Sequence, residues 1–355
     1  MTKPLKSFTK SARYAYAKEK LLEAKPKKVC MSGPSGFLGS RVFEHTLQVH
    51  ELRKQHGLET GEIVLLSSSP GALMSKLYTE YGHDLMKTVR ASRVDYYTQH
   101  DERVWRDQLG ALGLEGENAV FVNLAGIAGP IPGKSEAMMA VNYHAPIAAA
   151  NACLHLGFGH FIQSSTQATN AERAGQVPYS RAKAMCDFHI SRLPGLPTTI
   201  ACLGLLYCKS DGIVGQSRST GKINLIDLAL LPLTPILGDG SAPLQPQEIR
   251  DAAERLAFLA LTETSVRRPS SYRSHIKYDH TPDEQSKLFP PVKTTRFYDA
   301  VGPDTISILR MQEKFAKYLG NKHFRPVFID YRNMEELLNI KSLGNLNRQF
   351  VSLLR

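Results

Sequence analysis

The chain has 355 residues, 42 % hydrophobic and 22 % charged, enough to bury a large core in two domains or in one large α/β domain with additions. Its net charge of +11 sits at the ends: residues 1–28 carry nine Lys/Arg against Glu19 and Glu23, residues 301–355 carry nine against five acids, and the stretch between them balances at zero. That distribution speaks against a nucleic-acid-reading surface and for a globular body whose ends meet something acidic, such as an acidic lipid surface or a protein partner.

Residues 1–28 form a basic extension rich in Lys, Ala and Ser/Thr. An amphipathic helix built around Phe8, Ala12, Ala15 and Leu22 would give either a mitochondrial targeting segment or a retained basic arm. Apolar runs bounded by turn residues then recur at 28–33, 62–68, 94–98, 119–126, 160–165 and 198–207. Helix-like segments lie between them at 38–55, 71–90, 101–112, 136–157 and 178–193. Continuous apolar strands alternating with helices predict a doubly wound parallel sheet over residues 29–207.

Residues 208–355 make a smaller C-terminal α/β lobe and extension. In it, 247–263 reads as an amphipathic helix placed to pack back on the main sheet, and 264–295 as a polar, Pro-rich surface excursion. A strand over 296–302 and a helix over 304–320 follow, with Asp304 as N-cap and Gly320 just past the end. The five cysteines show no CxxC spacing, which argues for a reducing compartment and against zinc or a disulfide framework. The best membrane candidate, INLIDLALLPLTPIL at 223–237, contains Asp227 and two prolines and is too short to span a bilayer.

The first strand runs into MSGPSGFLGSRV, with Gly33, Gly36 and Gly39 three residues apart. At a strand–turn–helix junction such spacing permits a tight turn, a close backbone approach to a pyrophosphate, and close packing of helix on strand. The helix N-terminus then offers free N–H groups to the phosphates. Ser35, Phe37, Leu38 and Arg41 complete this candidate cradle. The end of the second strand carries Ser67, Ser68 and Ser69 in place of the acidic residue that grips a ribose 2′-OH. With Arg41 or Lys76 nearby, this favours NADP(H) over NAD(H). Further along, VNLAG ends a strand in Leu124, Ala125 and Gly126, where a nicotinamide ribose could pack, and Asn142 lies on the helix after it.

Tyr179 and Lys183 stand at i and i+4, on one face of a helix. An ammonium beside a phenol lowers its pKa, which suits proton shuttling at neutral pH. FIQSST ends just upstream in Ser164, Ser165 and Thr166, whose hydroxyls would face the same crevice.

In order and spacing, Gly33-x-x-Gly36-x-x-Gly39, Asn123–Gly126, the Ser-Ser-Thr strand end and Tyr179-x-x-x-Lys183 resemble the short-chain dehydrogenase/reductase superfamily in its extended or atypical branch. The resemblance implies a Rossmann fold, Tyr179 as acid/base, and Thr166 polarising a carbonyl or hydroxyl. It implies that Lys183 holds the nicotinamide ribose and tunes Tyr179. Gln245–Pro246, Asp251-x-Ala253 and FYDAVGPDTISILRMQEKFAKYLGN are similar to the nucleotide-binding accessory subunits of mitochondrial respiratory complex I. In that group NADPH is a structural element, the chain lies on the matrix side of the inner membrane, and other subunits are its partners. The family's adenine-binding Asp after the third strand finds only Thr98, with Asp101 further on. Its Arg-Pro after the sixth strand is replaced by Cys202–Leu203. Two expectations follow: a non-catalytic NADP(H)-holding subunit, or an active NADP(H)-dependent reductase or dehydrogenase using Thr166, Tyr179 and Lys183, the latter also compatible with the cytoplasm.

Overall fold

A computed structural model describes residues 12–127, 135–170, 178–208, 227–262, 294–300 and 305–330. Two units divide the chain. The first comprises residues 1–128, 136–202 and 250–299, and the second comprises 129–135, 203–249 and 300–355.

The first unit is built on a seven-stranded sheet. Its strands are β1 (Lys28–Ser32), β2 (Glu62–Ser67), β3 (Val89–Arg93), β4 (Ala119–Asn123), β5 (His160–Thr166), β6 (Thr198–Leu203) and β11 (Thr295–Ala300). The order β11-β6-β5-β4-β1-β2-β3 places the reversal of winding between β1 and β4. The resolved pairings β1–β2, β2–β3, β1–β4 and β4–β5 are parallel. This is the doubly wound α/β class that the alternation of runs predicts, a class in which ligands bind beyond the carboxyl ends of the strands at the reversal, here β1 and β4. Every residue of β4 and β6 is buried, as two-faced coverage by helices requires. Phe121 stacks on Phe161 with ring centroids 5.3 Å apart, and Trp105 meets Phe121 edge-on at 6.0 Å. Trp105 is fully buried and donates its indole N–H to Gln99 O at 2.9 Å.

The helices of this unit are α1 (Ala12–Glu23), α2 (Phe37–Gln55), α3 (Pro70–Tyr81), α4 (His83–Met86), α5 (Glu102–Ala111), α6 (Ser135–Met139), α7 (Ala145–His155), α8 (Pro178–Ile190) and α9 (Ile249–Thr262). Residues 71–90, expected as one helix, instead give α3 and α4, broken at Gly82, and then β3. The third strand therefore falls at 89–93 and not at 94–98, where the chain turns. As an edge strand β3 carries Arg90, Ser92 and Arg93, so it lacks the apolar run of its neighbours. Between α6 and α7, Ala140–His144 form a π-helical turn in which Ala145 N donates to Ala140 O. Pro146 lacks an N–H and crowds the carbonyl four residues back, which accounts for the wider turn just before it.

The basic extension has structure from residue 12. Arg53 donates from Nη1 to the carbonyls of Leu21 at 2.7 Å, Leu22 at 3.3 Å and Ala24 at 2.8 Å, and from Nε to Glu59 O at 2.8 Å. A buried guanidinium thus caps the C-terminus of α1, satisfying carbonyls left without intrahelical partners. Residues 1–11, with Phe8, lie outside the described residues.

The second unit holds β7 (Leu206–Tyr207), parallel to β10 (Gln247–Glu248), β8 (Leu233–Leu237), parallel to β13 (Arg325–Ile329), and β9 (Pro243–Leu244), antiparallel to β12 (Ile306–Ser307). Helix α10 (Ile308–Tyr318) follows β12. Ser307 accepts from Arg310 N at 3.2 Å and is the N-cap of α10. The expected start at Asp304 is displaced because 306–307 pair with β9. The strand expected at 296–302 does not close this smaller lobe; as β11 it joins the seven-stranded sheet beside β6. The excursion at 264–295 lies outside the described residues up to 293.

Candidate active site

At the carboxyl end of β1, Gly33 turns with φ of 64°. A Cβ there would lie 2.7 Å from Ala125 N, so the turn is pressed against the strand end of β4. A Cβ on Gly39 would lie 2.0 Å from Gly33 O, which forces glycine where α2 crosses the turn. Gly36 is different. Its Cβ would meet only Gly33 O, at 3.2 Å, and otherwise project into open space. Gly36 is also the N-cap of α2, and no side chain caps the helix. The first N–H groups, at Phe37, Leu38 and Gly39, thus have no side-chain cap, and they lie behind the exposed Ser35 and Gly36. A cradle that a Cβ would fill, at an uncapped helix N-terminus, fits a dinucleotide pyrophosphate.

The chain ends around this turn are tied together by buried side chains that sequence reasoning did not single out. Ser32 donates to Asn123 Oδ1 at 2.5 Å and accepts from Leu124 N at 2.9 Å and Ala125 N at 3.0 Å. Leu124 and Ala125, expected to face the cofactor, therefore spend their N–H groups on Ser32. Gly126 is exposed, and a Cβ on it would lie 3.4 Å from Lys183 Nζ. Asn142, expected among the cofactor ligands, donates from Nδ2 to Ile127 O and accepts at Oδ1 from Ile127 N, both at 3.0 Å. With both ends of its amide occupied, Asn142 acts by clamping the 124–127 segment. The π turn beside Pro146 is the backbone that carries it.

Ser67 is buried at the end of β2 and accepts from Ser69 N at 3.2 Å, while Ser68 and Ser69 are exposed. Arg41 lies over the Phe37 ring at 5.6 Å and reaches Ser40 Oγ at 3.0 Å. Lys76 is exposed and faces Glu80 at 3.9 Å. With β3 ending at Arg93, the first acidic side chain after the third strand is Asp95, exposed and accepting from Tyr97 N at 2.9 Å. It occupies the place for which Thr98 and Asp101 were considered. Asp101 is instead the N-cap of α5, accepting from Arg103 N at 2.8 Å. The misplaced third strand concealed Asp95. Tyr96 packs its phenol against Ser32 and the Gly33 backbone.

Tyr179, Lys183 and the β5 end come together as their spacing predicts. Tyr179 hydrogen-bonds the Thr166 side chain, and Lys183 Nζ donates to Ser164 O at 2.9 Å. Lys183 is 4 % exposed, and burial lowers its pKa, opposed by Cys186 and Asp187. Burial pushes the Tyr179 phenol up to about 12, with the Thr166 bond pulling it back and Asp187 adding to the rise. The expected depression of the phenol by Lys183 is thus not what the protein alone produces: the ammonium is engaged by Ser164 O, and desolvation of Tyr179 wins. At neutral pH Tyr179 is a protonated phenol, poised to donate. Cys202 and Leu203, at the end of β6, are buried.

No family model and no curated protein matches the chain. Solved structures do. The epimerase Mth375 from Methanothermobacter thermautotrophicus superposes with a TM-score of 0.57 at 12 % identity, covering 94 % of this chain and 89 % of that one. A UDP-N-acetylglucosamine 4-epimerase from Methanobrevibacter ruminantium M1, in complex with UDP-N-acetylmuramic acid, gives 0.55 at 15 %, covering 91 % of each. A UDP-glucuronic acid 4-epimerase from Bacillus cereus, in complex with UDP-glucuronic acid and NAD, gives 0.52 at 16 %, covering 85 % and 86 %. The likeness is one of fold. Among the described residues no helix is long and apolar enough to cross a membrane, and no group of three His, Cys, Asp or Glu could hold a metal ion.

Proposed function

We propose that this chain is a nicotinamide-dependent oxidoreductase of the short-chain dehydrogenase/reductase type, acting on a carbonyl or alcohol substrate. The observation that carries the reading is the conjunction at one sheet end of an uncapped glycine cradle after β1 and the Thr166–Tyr179–Lys183 set between β5 and α8. When bound, a reduced nicotinamide supplies the hydride. Gly33–Gly39 and the α2 N-terminus hold the pyrophosphate, and Lys183, beside Gly126, holds the nicotinamide ribose. Thr166 and Tyr179 grip the substrate oxygen, and Tyr179 gives it the phenolic proton. In the oxidative direction the same phenol takes the proton back. That neighbours in fold were solved with NAD supports a nicotinamide partner.

The coenzyme is NADP(H) in this proposal. No acidic side chain stands at the end of β2, and the exposed Ser68 and Ser69 with the Arg41 guanidinium suit a 2′-phosphate. The substrate is not tied to a nucleotide sugar, because Cys202–Leu203 supplies no cation where the extended family has Arg.

Purified full-length protein, titrated calorimetrically with NADPH and NADH and assayed against a panel of ketones and aldehydes, tests this. Tyr179→Phe should keep NADPH binding and lose turnover by ~100-fold or more, the scale of a positioned acid. NADPH-dependent turnover that survives the substitution would refute the assignment.

A second reading, a subunit of a mitochondrial inner-membrane complex that keeps NADP(H) as a structural element, is favoured by the basic α1 arm and the apolar Cys202–Leu203. Its mark would be migration with a large membrane complex from native mitochondria, with no turnover found. Bound nucleotide would then stabilise the fold by about 2.7 kcal/mol at a hundredfold excess over Kd.

A further inference from the structure

Three consecutive residues at the end of β5 are each engaged by α8. Tyr179 meets the Thr166 hydroxyl, Lys183 meets the Ser164 carbonyl, and one turn further on Asp187 accepts a hydrogen bond at Oδ2 from the Ser165 hydroxyl. Positions 179, 183 and 187 share one helix face at i, i+4 and i+8. The Ser165–Asp187 contact belongs to neither a cradle nor a reacting group, yet it closes the series.

We infer that Asp187 is a positioning residue for the Tyr179–Lys183 pair, pinning the β5 end to α8 through Ser165 and setting the charge that both groups face. The role it gives Tyr179 rests on the proposed oxidoreductase reading. Asp187 is fully buried, Ser165 is 3 % exposed and Lys183 is 4 % exposed. Asp187 Oδ1 is also buried and has no hydrogen-bond partner. A buried carboxyl with one oxygen bonded within the protein is costly unless its charge is used or its proton retained.

The ionisable groups that feel this carboxyl are Lys183, Tyr179 and Cys186, all on α8. From β5 it meets the Ser165 hydroxyl. From the π turn packed on α8, Tyr143 feels Cys186, which with burial raises its phenol. Burial raises the Asp187 carboxyl to about 7, against the pull of Ser165 and Lys183. Ionised, it holds the Lys183 ammonium in its charged form and keeps the Tyr179 phenol protonated. Protonated, it releases both effects. Asp187 thus sets the charge that faces the pair, although it touches no substrate.

The test is a titration of Lys183 that does not depend on turnover. Full-length protein labelled with ε-13C-lysine is followed by NMR, with the Lys183 signal assigned by its loss in Lys183→Met. In Asp187→Asn the Lys183 midpoint should fall by ~0.5 pH unit or more, as removal of a nearby opposite charge requires. Asp187→Glu should restore it in part, and Ser165→Ala, which weakens the anchor of the carboxylate, should move it the same way by less. A Lys183 midpoint unmoved in folded Asp187→Asn overturns the inference. Where circular dichroism shows that variant unfolded, an unmoved midpoint in Ser165→Ala overturns it equally. A midpoint that moves in a protein without turnover would sustain the inference and defeat the oxidoreductase reading.

Discussion

Alanine at Gly36 and alanine at Gly39 should have opposite signatures, and the contrast separates a phosphate cradle from a plain strand–helix turn. At Gly39 the new Cβ falls 2.0 Å from Gly33 O, 2.8 Å from Gly33 C and 3.1 Å from Pro34 Cα, all backbone or backbone-bound atoms of the turn. Relief requires moving α2 or the turn by about 1.4 Å to reach ordinary contact distance near 3.4 Å, and overpacking of this kind costs about 1–3 kcal/mol. At Gly36 the nearest atom is 3.2 Å away, so the folded chain accommodates a methyl with a shift of a few tenths of an ångström. Its cost is that of a poorer N-cap residue, about 0.5–1 kcal/mol. The methyl nonetheless occupies the space through which a pyrophosphate would approach. Gly36→Ala should therefore melt within about 3 °C of the unsubstituted protein while its NADPH Kd rises by ~10-fold or more, a loss of about 1.4 kcal/mol or above. Gly39→Ala should lose both stability and binding. Differential scanning fluorimetry without nucleotide, paired with calorimetric titration of NADPH, reads the two quantities separately. A Gly36→Ala protein that binds NADPH as the unsubstituted chain does would show that the turn holds no diphosphate.

Three further outcomes follow from the contacts described. Arg53→Ala should destabilise the fold by about 2–4 kcal/mol, since four accepting carbonyls lose a buried charged donor, and hydrogen exchange should show α1 opening first. Asn142→Ala should unclamp Ile127 and raise the KM for coenzyme, with crystallographic displacement of 124–127 as the structural readout. Asp187, raised from 3.8 to about 7, is protonated when folded and ionised when unfolded across that window. Its contribution to stability must therefore fall as pH rises from about 4 to about 7, and denaturant titrations should find Asp187→Asn gaining on the unsubstituted protein over that interval.

The parts of the fold that could be read in advance are those where one physical signal dominates. β1, β2, β4, β5 and β6 are buried on both faces and announce themselves as unbroken apolar runs. β3 was illegible because an edge strand tolerates Arg90 and Arg93, and a residue such as Tyr96, which packs beneath the first turn, looked like part of a strand. That single displacement hid Asp95. The cradle and the Tyr179–Lys183 pair were legible because their chemistry depends on local spacing. Ser32, Gln163 and Asp187 were not, because their partners lie on other strands or helices, up to 93 residues away for Ser32. Pro146 was the available sign that the helix around Asn142 would depart from regularity.

These long-range partners have a collective consequence. Asn123 accepts from Ser32 and donates to Gln163 Oε1 at 2.8 Å, and Gln163 donates to Ser164 O at 3.0 Å, the carbonyl that also receives Lys183. One unbroken series of buried hydrogen bonds therefore crosses β1, β4 and β5 from the foot of the glycine turn to the ammonium. Each member is within 7 % exposure, so the bonds act in a low dielectric, where an unmade partner is costly. The pairing Ser32↔Asn123 and Asn123↔Gln163 lies in register, so no side chain has to reach diagonally. A sheet that needed only stability would fill these places with valine. Polar groups placed here fix the relative position of the turn and of Lys183 more narrowly than apolar packing would, and the proposed oxidoreductase reading needs that, since a hydride donor and a proton donor would have to meet one carbonyl at once.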